Sequence, residues 1–145
     1  MDELIQTPRY KKIMIIDDNE IDRYIAARNI KKYGFAEEVV LKESANAAIE
    51  YLEALGATDE EHPQLIFLDI RMPEKDGFGF LEEYEKLDES IKKNCIIMML
   101  STSLNPDDHE RAKNNKYVSK FLNKPLDKEK LMLVAELAPA WSFLA

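Results

Sequence analysis

Five short, continuously apolar runs, separated by longer stretches of helical periodicity, constrain the fold of this chain more than any other feature. They occupy residues 13–16, 39–41, 65–68, 96–100 and 118–122. Continuous rather than alternating apolar character is typical of strands that are buried on both faces of a sheet. The second run is short and fades into Lys42 and Glu43, so we expect that strand at an edge of the sheet.

Five helical patterns follow the apolar runs one by one. Their predicted starts are at Asn19, after Ser44, after Gly77, at Asn105 and at Asp127. The first helix is expected to end at Gly34, the second at Gly56 and the fifth at Pro139. Strands that alternate with helices predict an α/β protein. We expect a flavodoxin-like, doubly wound (βα)5 fold with a five-stranded parallel sheet in the order 2-1-3-4-5.

The length and charge of the chain exclude several classes of protein. Its 145 residues suffice for one domain, and 20 basic against 28 acidic side chains leave a net charge of −8. This balance argues against a general nucleic-acid binder and against attraction to an anionic membrane. Cys95 is the only cysteine, so no internal disulfide is possible, and its apolar surroundings predict a buried, inert thiol. No apolar stretch approaches the roughly 20 residues that span a bilayer, so we expect a cytoplasmic protein without membrane insertion.

Polar residues follow four of the five predicted strands at positions where an apolar sheet does not need them. Asp17 and Asp18 follow the first strand, Asp69 the third, Ser101 the fourth and Lys124 the fifth. Singly, each has an ordinary explanation, such as a helix cap at Asp18 or Asn19, or a local backbone partner for Ser101. In an open parallel sheet, however, ligands bind beyond the carboxyl ends of the strands, where the strand order reverses. We therefore expect the three aspartates to meet there, with Ser101 one strand away and Lys124 two.

A cluster of three carboxylates requires either a cation between them or a bound proton, because like charges repel at close range. An all-oxygen site with few protein ligands and room for water suits Mg²⁺ better than zinc. Mg²⁺, the Lys124 ammonium and the Ser101 hydroxyl around one carboxylate would provide an environment for phosphoryl transfer. An aspartate is an acceptable nucleophile in that chemistry and would become an aspartyl phosphate.

Four segments of the chain resemble the motifs of one protein family. They are residues 13–19 (IMIIDDN), 65–77 (LIFLDIRMPEKDG), 99–101 (MLS) and 121–125 (FLNKP). In this order they resemble the acidic pair, the phosphoacceptor segment, the switch hydroxyl and the lysine–proline pair of response-regulator receiver domains in two-component phosphorelays. The resemblance covers about residues 11–139. It implies a single receiver domain over residues 1–145, with a tail at 140–145 and no output domain.

The resemblance also implies a phosphoacceptor and a set of metal ligands. Asp69 would accept the phosphoryl group, and Lys124 would pair with the phosphoryl oxygens. Asp18 would bind Mg²⁺ directly and Asp17 partly through water. Asp69 itself and the main-chain carbonyl of Arg71 would complete the protein ligands, which leaves the side chain of Arg71 free to vary.

Two further residues would form the switch of such a domain. On activation, Ser101 would donate a hydrogen bond to a phosphoryl oxygen, and Phe121 would turn inward as Ser101 moves. The Lys124–Pro125 bond would be cis, a state that X-Pro bonds reach far more easily than others. His62 and His109 show no ligand spacing, and we expect both at the solvated surface, where His109 and Arg111 could contact a partner.

The resulting hypothesis is a signalling receiver that catalyses only its own phosphoryl transfer and dephosphorylation. It would take the phosphoryl group from a phosphohistidine on a sensor histidine kinase or a histidine phosphotransfer protein. The new charge would bias the face formed by the fourth predicted helix, the fifth strand and the fifth helix, which a downstream protein effector would bind. Two alternatives are a receiver-like interaction module without phosphate control and a hydrolase with an aspartyl nucleophile. Arg71 disfavours the hydrolase, since such phosphatases usually carry a second aspartate two residues after the nucleophile.

Overall fold

The computed structural model of the chain describes residues 9–56 and 62–137, in which five strands form one parallel sheet. The strands are β1 (Tyr10–Ile16), β2 (Ala36–Lys42), β3 (Leu65–Leu68), β4 (Ile96–Ser101) and β5 (Val118–Asn123). Their order is β2-β1-β3-β4-β5, and all four neighbouring pairs are parallel. The predicted flavodoxin-like topology is therefore confirmed, and β2 lies at the predicted edge.

Six helices occur in the described part of the chain, one more than the sequence predicts. They are α1 (Glu20–Lys32), α2 (Ala45–Leu55), α3 (Gly77–Glu85), α4 (Glu89–Lys92), α5 (Pro106–Asn114) and α6 (Lys128–Leu137). The unpredicted helix is α4, which has four residues and is therefore too short to show a helical period. Its start is a local signal, because the Asp88 side chain accepts a hydrogen bond from the Ser90 amide.

Residues of each central strand alternate between two apolar cores, one on each face of the sheet. In β3, Leu65 and Phe67 pack toward α1 and α6, whereas Ile66 and Leu68 pack toward the face covered by α2, α3, α4 and α5. All four side chains are fully buried. Burial of this kind contributes roughly 1.5–3 kcal/mol per large apolar side chain. The two cores hold the carboxyl ends of the strands at one edge and so fix the residues that follow them.

Several lesser predictions have clear outcomes. Asn19, rather than Asp18, caps α1 by accepting a hydrogen bond from the Asp22 amide. Cys95 is half-buried, packs against the core on the sheet face covered by α2, α3, α4 and α5, and has a thiol pKa that burial raises to about 12. No helix in the described residues is long and apolar enough to cross a bilayer. Pro139 and the predicted tail at residues 140–145 lie outside the described residues.

Gly77, the first residue of α3, packs directly against the backbone that carries Asp69. A methyl group on Gly77 would lie 2.5 Å from the Asp69 carbonyl oxygen and 3.1 Å from the Ile70 Cα, and neither backbone atom can move independently. At Gly79, by contrast, a methyl group would meet chiefly the flexible side chain of Lys75. The first position requires glycine, whereas the second tolerates alanine.

We expect Gly77→Ala to lower the free energy of unfolding by about 1–3 kcal/mol, the usual cost of overpacking. Gly79→Ala is the matched control in the same helix and should be neutral or stabilising by up to about 1 kcal/mol, since alanine favours helix. Urea denaturation of the two variants measures the difference. Equal midpoints for both would contradict the close approach at Gly77.

Candidate functional site

Three aspartates converge at the carboxyl edge of the sheet. Asp17 directly follows β1 and Asp69 directly follows β3, and these two strands are neighbours. One carboxylate oxygen from each of Asp17, Asp18 and Asp69 lies within 4.8 Å of the others. Asp17 and Asp69 are 2% and 6% exposed, whereas Asp18 is exposed. The cluster is therefore a shallow pocket that is closed at the bottom and open to solvent on the side of Asp18.

Backbone hydrogen bonds fix the two buried aspartates in place. The Asp17 amide donates to the Lys42 carbonyl at 3.0 Å, and the Asp69 amide donates to the Ile16 carbonyl at 2.9 Å, so both residues extend the strand pairing. Oδ1 of Asp17 accepts from the Asn19 amide and Oδ1 of Asp69 accepts from the Ile70 amide, each at 2.9 Å. The backbone therefore holds Oδ1 of each carboxylate, and each Oδ2 faces the ammonium group of Lys124.

The ammonium group of Lys124 lies among three carboxylates. Its Nζ is 2.7 Å from Oδ2 of Asp17, 2.9 Å from Oδ2 of Asp22 and 3.4 Å from Oδ2 of Asp69, and the side chain is 8% exposed. Burial alone would lower the pKa of Lys124, but the hydrogen bonds to Asp17 and Asp22 and the nearby negative charges outweigh it and raise the pKa above its ordinary value. Lys124 is therefore a permanent cation of this site.

Lys124 neutralises the negative charge around Asp69 only in part. Burial, and next the negative charge of Asp17, raise the pKa of Asp69 from 3.8 to about 6, while Lys124 lowers it only in part. A second cation would relieve this charge excess. The donor atoms are carboxylate oxygens, which are the ligands that Mg²⁺ prefers, so the residues fit a magnesium ion held by Asp17, Asp18 and Asp69.

Ser101 and Phe121 lie on neighbouring strands beside this pocket. Ser101 ends β4, is 1% exposed, and its Oγ accepts a hydrogen bond from the Ser103 amide at 3.2 Å. Phe121 of β5 is half-buried and stacks on the ring of His109, with the two centroids 4.0 Å apart. The Lys124–Pro125 peptide bond that follows β5 is cis, as expected.

The prediction that both histidines are solvated surface residues is wrong. His62 is 8% exposed, and its Nε2 lies 2.7 Å from the Gly56 carbonyl oxygen. His109 is half-buried between Phe121 and the β4–α5 loop, where its Nε2 lies 2.9 Å from the Ser103 carbonyl oxygen. The sequence shows only their polar neighbours, whereas the partners are backbone carbonyls six residues earlier in the chain, at the C-terminal end of α2 for His62 and in the β4–α5 loop for His109.

Two carboxylates were not predicted as part of the site. Asp22 lies in the first turn of α1, where it is an ordinary acidic residue near a helix N-terminus, yet it pairs with Lys124. Asp108 lies in the first turn of α5 and forms a salt bridge with Arg71. The Arg71 side chain, expected to be free to vary, is thus engaged. The position of Asp108 two residues after Pro106 suggested only a favourable charge for the helix dipole.

Comparison with known proteins assigns the family. The model of the response regulator receiver domain matches residues 13–136 of the chain. The chain belongs to this family. Receiver domains are signalling modules of two-component systems rather than substrate-processing enzymes.

Receiver relatives resemble the chain over most of its length. It is 29% identical over 131 residues to the probable methanogenesis regulatory protein FilR2 of Methanothrix harundinacea, a match that covers 89% of this chain and 82% of that protein. The crystal structure of a response regulator receiver protein from Dyadobacter fermentans has a TM-score of 0.77 and 30% identity, covering 89% of this receiver and 98% of that chain.

A third relative was crystallised with ligands. The receiver domain of the histidine kinase CKI1 from Arabidopsis thaliana, complexed with Mg²⁺ and BeF₃⁻, has a TM-score of 0.73 and 26% identity, covering 88% of this receiver and 89% of that chain. The match spans only 11% of the whole CKI1 kinase. The likeness to that protein therefore concerns its receiver part alone.

Proposed function

We propose that this receiver accepts a phosphoryl group on Asp69, with Mg²⁺ bound, from a phosphohistidine of a sensor histidine kinase or a histidine phosphotransfer protein. The observation that carries the proposal is the position of Asp69, a buried carboxylate with a raised pKa that lies beside a fixed ammonium and two further carboxylates. A site with unbalanced negative charge and an open side is suited to bind a metal and then a phosphoryl group.

Asp17, Asp18 and Asp69 would hold the Mg²⁺ ion, and the main-chain carbonyl of Arg71 would be a further ligand. When bound, the ion would neutralise charge that develops on the phosphoryl oxygens during transfer. Support for the metal comes from the all-oxygen donor set and from the CKI1 receiver, whose crystals contain Mg²⁺ and BeF₃⁻. A magnesium ion usually keeps several waters, which fits the open side of the pocket at Asp18.

The protein's own residues would position the reacting groups. An oxygen of the Asp69 carboxylate attacks phosphorus, the new P–O bond forms as the P–N bond to the donor imidazole breaks, and the leaving imidazole takes up a proton. Lys124, already 3.4 Å from Oδ2 of Asp69, would pair with the phosphoryl oxygens. Most of the catalytic effect in such reactions comes from positioning and charge neutralisation.

The phosphoryl group would act on the rest of the domain through Ser101 and Phe121. The Ser101 hydroxyl would donate a hydrogen bond to a phosphoryl oxygen, and Phe121 would turn inward as β4 and its loop shift. The face formed by α5, β5 and α6 would then favour a downstream protein effector rather than nucleic acid or membrane. The phosphorylated state would be a population shift between two arrangements of this face.

The proposal predicts one site of covalent labelling. On incubation with Mg²⁺ and radiolabelled acetyl phosphate, the native protein should acquire an acid-stable, base-labile label. Asp69→Asn should abolish it, because an amide nitrogen or oxygen does not replace the carboxylate nucleophile. Asp107→Asn, an exposed aspartate-to-asparagine change in α5, is the matched control and should label like the native protein.

Undiminished labelling of Asp69→Asn would contradict the assignment of the phosphoacceptor. A native protein that takes no label from acetyl phosphate or from phosphorylated kinases would instead favour an interaction module without phosphate control. Omission of Mg²⁺ should reduce the label to background, and labelling that persists in a chelator would remove the metal from the proposal.

A further inference from the structure

A buried carboxylate in the first turn of α5 connects the loop after Asp69 to the loop after Ser101. Oδ2 of Asp108 accepts a hydrogen bond from the Arg71 guanidinium and another, at 2.7 Å, from the Ser103 hydroxyl. Its side chain is 5% exposed, whereas that of Arg71 is 61% exposed. Arg71 lies two residues after Asp69 and Ser103 two residues after Ser101. The residues Arg71, Ser103 and Asp108, here called the Asp108 network, therefore bridge the two loops of the site.

The stability of α5 gives no reason to bury this carboxylate. Asn105 already caps the helix by accepting from the Asp107 amide at 2.8 Å, and Pro106 occupies its first turn. Asp107 also places a negative charge at the helix N-terminus while staying exposed. Burial of a charge is costly unless hydrogen bonds compensate it. The two loops supply those bonds, so the position of Asp108 depends on both.

The network reaches the switch hydroxyl through Ser103. The same residue that donates its hydroxyl to Asp108 donates its amide to Oγ of Ser101 at 3.2 Å. Oγ of Ser103 also accepts from the Asn105 amide at 3.2 Å. Hydrogen bonds to Asp108 and from Asn105 therefore fix the Ser103 hydroxyl, while the Ser103 amide donates to Oγ of Ser101.

His109, which follows Asp108 in α5, connects the β4–α5 loop to Phe121. His109 lies 2.9 Å from the Ser103 carbonyl oxygen through Nε2 and stacks on Phe121. A displacement of Ser103 would therefore disturb the packing of Phe121 as well as the hydrogen bond to Ser101. One turn of helix thus holds both elements of the switch in the arrangement seen here.

We propose that Asp108 is a positioning residue that latches the two loops together and opposes the phosphorylated arrangement. This inference rests on the proposed function. A phosphoryl group on Asp69 would add negative charge two residues from Arg71, so the phosphoryl group and Asp108 would compete for one guanidinium. The position of Ser101 is coupled to the latch as well, because its Oγ accepts a hydrogen bond from the amide of Ser103, whose hydroxyl donates to Asp108. Because coupling is reciprocal, loosening the latch must favour the phosphorylated arrangement.

The test is the affinity for beryllofluoride, a phosphoryl mimic, measured by titration calorimetry at saturating Mg²⁺. Asp108→Asn keeps the shape of the side chain but removes the charge that holds Arg71. We expect it to bind beryllofluoride about fivefold or more tightly than the native protein, the low end of typical coupling between sites. The affinity for Mg²⁺ alone should stay within about twofold, because Asp108 holds Arg71 through its guanidinium and not through the main-chain carbonyl that would bind the metal, and it does not pair with Asp17, Asp18 or Asp69. Asp107→Asn, one residue away, should leave both affinities unchanged.

A folded Asp108→Asn protein with unchanged or weaker beryllofluoride affinity would overturn the latch. If that variant does not fold, Ser103→Ala decides, since it removes one donor to Asp108 and keeps the Arg71 pair. Ser103→Ala should bind beryllofluoride at least twofold more tightly, and an unchanged affinity would equally overturn the inference. Failure of the native protein to bind beryllofluoride with Mg²⁺ would instead contradict the proposed function.

Discussion

Replacing Lys124 by methionine should lower the free energy of unfolding by about 3–5 kcal/mol at pH 8 in the absence of Mg²⁺, the usual cost of removing one partner from a buried charge pair. Methionine preserves much of the length of the side chain but leaves Asp17, Asp22 and Asp69 without the cation that now lies within 3.4 Å of each. The loss should be smaller at pH 5, because Asp69 can then take up a proton. The pKa of Lys124 is raised, so the ammonium stays charged at both pH values and would lose its charge only as the pH rises through that pKa; the difference between pH 5 and pH 8 comes from Asp69.

Urea denaturation in a chelator at pH 5 and pH 8 measures both effects. Lys120→Met is the matched control, since Lys120 is an exposed residue of the same strand, and it should change stability by less than about 0.5 kcal/mol. Added Mg²⁺ should stabilise Lys124→Met more than the native protein, because the variant has no other cation in the pocket. Equal losses for the two lysine variants would mean that Lys124 does not balance the aspartates.

Replacing Asp69 by asparagine should have the opposite sign and raise the free energy of unfolding by about 2 kcal/mol at pH 7.5 without Mg²⁺. Burial, and then the charge of Asp17, raise the pKa of Asp69 from 3.8 to about 6 in the folded protein. That rise, which already includes the lowering effect of Lys124, corresponds to roughly 3 kcal/mol, and the amide avoids most of it.

The pH dependence identifies the cause of this gain. Between pH 3.8 and about 6 the folded protein holds a proton on Asp69 that the unfolded chain has released, so native stability falls as the pH rises through this range. The advantage of Asp69→Asn should therefore be small near pH 4, grow up to about pH 6 and then stay level. Asp107→Asn should show no such growth. A gain that is independent of pH would exclude the titration of Asp69 as its source.

The pattern of apolar runs was sufficient to predict the sheet but not the full length of its edge strand. β2 runs from Ala36 to Lys42, whereas only residues 39–41 were predicted. Its first residues include Glu37 and Glu38, which are exposed in the strand at the edge of the described sheet. Backbone pairing with β1, which sequence patterns do not show, extends the strand through these polar positions.

The site was predictable where it depends on strand ends and not where it depends on side chains that meet from distant segments. Asp17, Asp69 and Lys124 follow strands, so a correct topology brings them to one edge. Asp22 and Asp108 stand in the first turns of helices, where acidic residues are common for reasons unrelated to function. Their partners lie 102 and 37 residues away along the chain, and only packing of the helices on the sheet brings them together.

The half-buried thiol described above also makes this receiver convenient for spectroscopy. Cys95 is the only cysteine of the chain, and burial raises the pKa of its thiol to about 12, so little reactive thiolate forms at pH 7. A cysteine introduced on the exposed surface of α5 would therefore react with a maleimide dye much faster than Cys95. Fluorescence from that position would report movement of the helix without removing the native cysteine.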